Sequence, residues 1–122
     1  MSRDLVVVAC AVSAGIHAAL APEHPSFAGA AAALAVVSVG LARRPASALL
    51  LEGAALVLVG VIGAYALAVT TGIPILHPDV EPVTRLALAT KAVEAAGLLA
   101  ALYSKGTLTW RTRTHPVGFR SR

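Results

Sequence analysis

Three of the four histidines in this sequence lie close to carboxylates, in two segments that also contain prolines. The candidate ligands are His17, Glu23, His24, His77, Asp79 and Glu81. Imidazole and carboxylate groups together suit zinc, copper, nickel or iron, and geometry decides among them. Copper(I) would prefer sulfur, but the only sulfur-containing residues, Met1 and Cys10, lie elsewhere. The leading hypothesis is therefore a transition-metal site, for zinc or copper, assembled between the two segments.

A second candidate group is the pair Lys91 and Glu94, which are three residues apart and share one face of a helix. Charges that are removed from water are normally paired, and this spacing offers each residue a partner. A structural ion pair is the simpler interpretation. The functional alternative is a proton or cation relay that continues toward the histidines.

The histidine cluster also has simpler explanations. Loop residues such as Glu23, His24, Asp79 and Glu81 are commonly just solvated. His17 lies within an apolar stretch, where an ionisable residue is costly and is by default a functional candidate. A neutral histidine there can still be structural, by hydrogen bonding to a neighbouring helix, or it can transfer protons because it titrates near physiological pH.

Four apolar stretches would position these residues, over 5–21, 27–42, 46–71 and 83–103. Hydrophobic residues make up 57% of the chain and charged residues 13%, well below the charged content of about a quarter in soluble domains. A small soluble domain could not bury so much apolar surface. A membrane-spanning helix needs about 20 apolar residues. The sequence predicts an all-α fold, a four-transmembrane-helix antiparallel bundle over residues 1–104, followed by a basic tail over 105–122.

Turn chemistry separates the stretches. Ser26 and Ser47 are predicted N-caps of the second and third helices. Glycine and three prolines between residues 70 and 82 exclude a continuous helix there. Glu52, near the start of the third helix, is predicted to reach toward Arg43 and Arg44.

The distribution of basic residues predicts the orientation. With the N-terminus in the cytoplasm, the basic residues on the inside are Arg3, Arg43, Arg44, Lys105, Arg111, Arg113, Arg120 and Arg122. Only Arg85 then lies outside. The positive-inside rule predicts a multi-pass protein of the plasma membrane with both termini cytoplasmic, N-in/C-in. The histidines and acids of the proposed metal site would then share the outer side.

The basic tail predicts contact with lipid. Its candidate lipid-binding residues are Lys105, Trp110, Arg111, Arg113, Arg120 and Arg122. Basic segments beside a membrane bind anionic headgroups, and tryptophan anchors at the interface. The sequence contains no hydrolase triad, phosphate loop or dinucleotide motif, so no enzyme activity is predicted. No nucleic-acid partner is predicted either.

Three stretches carry a resemblance to a family. They are AGIHAALAPEH over 14–24, TTGIP over 70–74, and Glu81-Pro82-Val83 with Glu94 downstream. They resemble an uncharacterised group of small four-helix integral membrane proteins common in actinobacteria. The resemblance covers about the first hundred residues, implies the fold, and singles out His17, His24, Glu81 and Glu94 as matching positions. That group often has an acid early in the fourth helix, where this chain has Arg85 and Leu86.

Three functions from different classes follow. The first is binding or transfer of a transition metal through the histidine and carboxylate cluster. The second is a non-catalytic accessory subunit of a larger membrane complex. The third is a small homo-oligomeric transporter that uses Lys91 and Glu94.

The predicted orientation has a direct test. A tag placed after Arg122 should be protected in intact cells and become reachable only after the membrane is permeabilised, because the positive-inside rule keeps the C-terminus in the cytoplasm. The measurement is antibody or protease access to the tag. A tag that is accessible on intact cells, or a chain that stays soluble without detergent, contradicts the prediction.

Overall fold

A computed structural model describes residues 1–74 and 79–113, with side chains described through residue 106. The helices are α1 (Ser2–Leu20), α2 (Ser26–Arg43), α3 (Ala48–Thr70) and α4 (Arg85–Arg113). Each is long and apolar enough to cross a membrane, α4 through its segment Arg85–Gly106. At a rise of about 1.5 Å per residue, even α2 reaches about 27 Å, close to the hydrocarbon thickness of about 30 Å. The prediction of an all-α chain with four apolar helices is confirmed.

Side-chain caps fix two of the helix starts. The Ser47 hydroxyl accepts a hydrogen bond from the Leu50 backbone N–H at 3.3 Å, as predicted for the start of α3. Thr84 accepts in the same way from Ala87 at 3.1 Å, at the start of α4. The prediction for Ser26 was wrong. Pro25 occupies the cap position of α2 with a helical backbone, φ −55°, so Ser26 is already the first helical residue.

The last helix extends beyond the predicted span. α4 continues as helix to Arg113, so the first part of the segment assigned to the basic tail is helical. Lys105 on this extension pairs with Glu52 at the start of α3, with 2.8 Å between Nζ and Oε1. The predicted interaction of Glu52 with Arg43 and Arg44 was therefore wrong, because the longer α4 supplies a nearer cation.

Aliphatic residues fill the space between the helices and also cover their outer surfaces. α1 packs against α2 and α4, α3 packs against the same two helices, and α1 and α3 touch lightly. The largest fully buried aliphatic side chains of the described residues are Val6, Leu34, Leu41, Leu51 and Leu58. Exposed ones on all four helices include Val8, Val36, Leu49, Leu56, Leu67 and Leu99. Apolar surface of this extent is typical of contact with lipid rather than water.

Polar contacts mark the two ends of the bundle. At one end, which we call the basic end, Ser104 donates a hydrogen bond to Ser2 at 2.8 Å, and the Arg3 guanidinium donates to the Pro45 carbonyl. The loop end carries residues 21–25 and the described part of 71–84. There the Glu81 N–H donates to the Ala68 carbonyl at 3.0 Å, and Gly72 adopts φ 70°. That left-handed conformation favours glycine, because a Cβ would approach the following carbonyl.

The closest approach of two helices is between α1 and α4 at Gly97. A Cβ built on Gly97 would lie 2.6 Å from the Ala9 Cβ and 3.4 Å from Leu58 Cδ1. Real Cβ atoms do not approach so closely, so only glycine allows this contact. Small residues let membrane helices come together in this way.

Substituting Gly97 should therefore destabilise the bundle. We expect Gly97→Ala to lower the free energy of unfolding by about 1–3 kcal/mol, the usual cost of overpacking a filled core. Gly60→Ala is the matched control, because nothing lies within 4 Å of its added Cβ. The measurement is unfolding of the detergent-solubilised protein by sodium dodecyl sulfate. Equal stability of the two variants would contradict the packing described.

Candidate functional site: a buried polar network

Glu94 is the most deeply buried charged residue of the described chain. Its exposed fraction is 0%, and it lies on the inward face of α4. It follows Arg85 by nine positions, a distance of about 14 Å along the helix axis. That places the carboxylate near the middle of the apolar segment Arg85–Gly106.

Two residues satisfy the two carboxylate oxygens. The Ser13 hydroxyl on α1 donates to Glu94 Oε1 at 2.5 Å. Lys91, one turn earlier on α4, donates to Oε2 at 2.6 Å and forms the ion pair that the sequence spacing indicated. Charge-assisted hydrogen bonds of this length are the strong ones. The buried carboxylate is therefore hydrogen-bonded from α1 and charge-balanced from α4.

Lys91 also reaches across to α3. Its Nζ donates to the Val61 carbonyl at 3.2 Å and lies 5.4 Å from the centroid of the Tyr65 ring, within range of a cation–π contact. The Tyr65 hydroxyl is buried and has no hydrogen-bond partner among the described residues. A single ammonium group thus joins α3 to the ion pair.

His17 extends these contacts toward the loop end. Its side chain is buried, and its Nδ1 lies 2.8 Å from the Ser13 carbonyl and 3.3 Å from the Ser13 hydroxyl. A carbonyl oxygen can only accept, so Nδ1 carries the hydrogen, and in the neutral ring Nε2 keeps a lone pair. We call Ser13, His17, Tyr65, Lys91 and Glu94 the Glu94 network.

Phe27, at the start of α2, contacts both described histidines near the loop end. Its ring packs edge-on against His17 with 5.4 Å between centroids, and against His24 at 5.5 Å. His17 is therefore packed against an aromatic ring of α2.

The structure does not assemble the predicted metal ligands. Within residues 1–74 and 79–106, no group of three or more His, Cys, Asp or Glu side chains is placed to hold a metal ion. His17 is engaged with Ser13, while Glu23 and Asp79 are exposed. His77 lies outside the described residues. Metal binding therefore has no support from the described part of the chain and stays a prediction.

The predicted lipid-binding residues are described only in part. Lys105 is paired with Glu52, and both side chains are about half exposed. The backbone is helical at Trp110, Arg111 and Arg113, whose side chains fall outside the description. Arg120 and Arg122 lie beyond the described residues. Their contact with anionic lipid stays a prediction.

Sequence reasoning found the charges of the network but missed its neutral members. It singled out His17, Lys91 and Glu94, but neither Ser13 nor Tyr65. A signal for Ser13 was present: it precedes His17 by one helical turn, so the two side chains share a face. No comparable signal pointed to Tyr65, which joins the network only because α3 packs against α4.

No protein-family model, curated protein or solved structure matches this chain. The geometry alone therefore carries the functional argument. The resemblance to the actinobacterial group stays a prediction, although two of its four matching positions, His17 and Glu94, meet in the Glu94 network.

Removing one partner of the buried ion pair should be costly. We expect Lys91→Met to destabilise the protein by about 3–5 kcal/mol, because it leaves the Glu94 charge buried without a cation. The double variant Lys91→Met/Glu94→Gln should recover much of this loss. The free energies of unfolding of the wild type, the two single variants and the double variant are measured in sodium dodecyl sulfate.

Lys105→Met is the matched control for that variant. It makes the same substitution in a half-exposed ion pair, for which we expect a loss of about 1 kcal/mol or less. Equal losses for Lys91→Met and Lys105→Met would show that burial of the Glu94 pair has been misassigned.

Proposed function

We propose that this chain is a small transporter of the plasma membrane that takes up and releases a proton at Glu94. One observation carries the proposal: a fully buried carboxylate, bonded to Ser13 and paired with Lys91, lies inside a bundle of membrane-length helices. Ionisable residues within membrane segments are rare, costly and most often functional.

The orientation is part of the proposal. We infer an antiparallel bundle with both termini in the cytoplasm. The hydrogen bonds Ser104–Ser2 and Ser38–Val7 and the ion pair Lys105–Glu52 each join the beginning of one helix to the later part of another, which supports alternating directions. Arg3, Arg43, Arg44 and Lys105 cluster toward the basic end, so the positive-inside rule puts that end inside and the loop end outside.

Stability alone is a weak reason for such a site. Taking two charges out of water costs several kcal/mol per ion, and replacing a buried ion pair by apolar residues of similar volume is often neutral or stabilising. The buried apolar residues of the described bundle are mainly alanine, leucine and valine, against which an apolar pair at positions 91 and 94 would pack. A role in proton exchange explains why an ion pair occupies this position, whereas packing does not.

Protonation of Glu94 would change the network by one full charge. The neutral pair becomes a single cation on Lys91, whose remaining partners are all uncharged: the Val61 carbonyl, the Tyr65 ring and the Oε2 oxygen of the protonated Glu94. In a medium of low dielectric constant, an unbalanced charge is far more costly than in water. The protonated form is thus driven toward another arrangement of α4 against α1 and α3, which is what a transport cycle requires.

We further propose that the active form is a homo-oligomer whose basic tails lie on anionic lipid headgroups. Leu34, Leu51 and Leu58 fill the centre of the single bundle. A transport pathway would therefore need additional helices to line it, and a second copy of this chain would supply them. The molar mass of the protein in nanodiscs tests this part separately.

Proton flux into proteoliposomes tests the function. Vesicles that contain the purified protein and a pH-sensitive dye should acidify after a potassium diffusion potential is imposed. We expect Glu94→Gln to lower the rate about 100-fold, the scale of effect of a positioned proton-transfer group. The neutral amide keeps the shape but cannot carry the proton.

Glu52→Gln is the matched control, because this acid lies near the basic end and is about half exposed. Its flux should equal that of the wild-type protein. Wild-type vesicles that acidify no faster than empty ones, or a Glu94→Gln variant as fast as the wild type, would overturn the proposal.

A further inference from the structure

We propose that His17 and Ser13 form the proton entrance to Glu94 and that this entrance opens toward the loop end. The inference rests on the proposed function for its biological purpose. It makes a claim of its own about which residues deliver the proton and from which side.

The donors and acceptors form one continuous chain. His17 Nδ1 lies 3.3 Å from the Ser13 hydroxyl oxygen, and that hydroxyl donates to Glu94 Oε1 at 2.5 Å. One turn of helix separates Ser13 from His17, so both side chains project from the same face of α1. His17 is within four residues of the end of α1 at Leu20, about 5 Å along the axis. This series of donors and acceptors thus leads from near the loop end to the middle of the bundle.

A proton can pass along these atoms without any other reactant. It first adds to the lone pair on His17 Nε2, which forms the imidazolium. Nδ1 then releases its proton to the hydroxyl oxygen of Ser13, while that hydroxyl passes its own proton to Glu94 Oε1. His17 ends neutral with its hydrogen on Nε2, Ser13 is again a hydroxyl, and Glu94 is a neutral acid. One proton has entered, and one now resides on the carboxyl group.

The side of the network toward the basic end has a different character. One turn beyond Ser13, α1 presents Ala9 and Cys10, and Gly97 of α4 lies directly against Ala9. Leu51, Leu58 and Ala101 are fully buried in the same region. These small and aliphatic side chains are in close contact at Gly97 and Ala9, and they offer no polar atom to carry a proton. The geometry therefore gives Glu94 access from the loop end.

The groups around Glu94 that can titrate come from three helices. Cys10 of α1 lies near Glu94, His17 of α1 contacts Ser13, Tyr65 lies beyond Lys91 on α3, and Lys91 itself is on α4. α2 contributes the Phe27 ring against His17. Of these groups, the imidazole has one nitrogen beside Ser13 and a second nitrogen that can accept a proton. It is therefore suited to collect the proton.

The test removes the hydroxyl and then restores it. We expect Ser13→Ala to slow proton uptake by Glu94 at least about tenfold, and Ser13→Thr to restore it, because threonine supplies an equivalent hydroxyl. Ser38→Ala is the matched control: Ser38 is also a buried serine, but it donates to the Val7 carbonyl at 3.0 Å, outside the network. That variant should behave as the wild type.

The histidine is tested in the same way. His17→Gln should slow proton uptake and flatten the dependence of its rate on pH, because an amide cannot gain and lose a proton as an imidazole does. His24→Gln is its control, since His24 contacts the same Phe27 ring without being part of the relay. A merely structural His17 would leave the shape of the pH profile unchanged.

The readout is time-resolved infrared spectroscopy after a pH jump, which follows the C=O band of the protonated Glu94 and needs no net transport. The band is assigned by its absence in Glu94→Gln. If Ser13→Ala and His17→Gln protonate Glu94 as fast as the wild type, the entrance proposal is overturned, whatever the flux assay shows. If vesicles show no proton flux but the C=O band appears more slowly in the two variants, the proposed function fails while the entrance stands.

Discussion

The structure depends on how one carboxylate is accommodated in the middle of an apolar bundle. Glu94 is fully buried, so each of its oxygens needs a partner from the protein itself. Ser13 and Lys91 meet that need from two different helices. The requirement fixes the rotation of α1 and α4 about their axes, because a turn of either helix would separate donor from acceptor. Packing by small aliphatic side chains alone would specify these rotations less sharply.

The remaining contacts of the network follow from this constraint. Lys91 must stay near Glu94, and its length then brings the ammonium to the Val61 carbonyl and the Tyr65 ring, which ties α3 to the same centre. The His17 ring donates a hydrogen bond to the carbonyl of Ser13, the residue whose hydroxyl binds the carboxylate. Phe27 of α2 packs against the same imidazole. Each of the four helices therefore has a side chain in or beside the network, although both members of the ion pair, Lys91 and Glu94, lie on α4.

The sequence was sufficient to predict the helices and the charged pair, because both depend on local properties. A run of apolar residues is read directly, and Lys91 and Glu94 face the same way through helical spacing alone. The prediction of the outer metal cluster depended on contacts between loops, which no local pattern specifies. Ser13 was missed for a related reason: its spacing from His17 places the two on one face of α1, but its bond to Glu94 joins residues 81 apart in the sequence, which no local pattern specifies. The cap at Ser26 failed because a proline can itself begin the helix.

The contact between Gly97 and Ala9 affects how the bundle can move. At most helix interfaces the side chains interdigitate, so they must change rotamer or separate before one helix can shift along the other. Here a hydrogen atom faces a methyl group, so the seam between α1 and α4 is smooth. A slide or twist of one helix along this seam meets little steric resistance. It would also change the separation of Ser13 and Glu94, so a displacement at this contact would make or break the hydrogen bond that reaches the carboxylate.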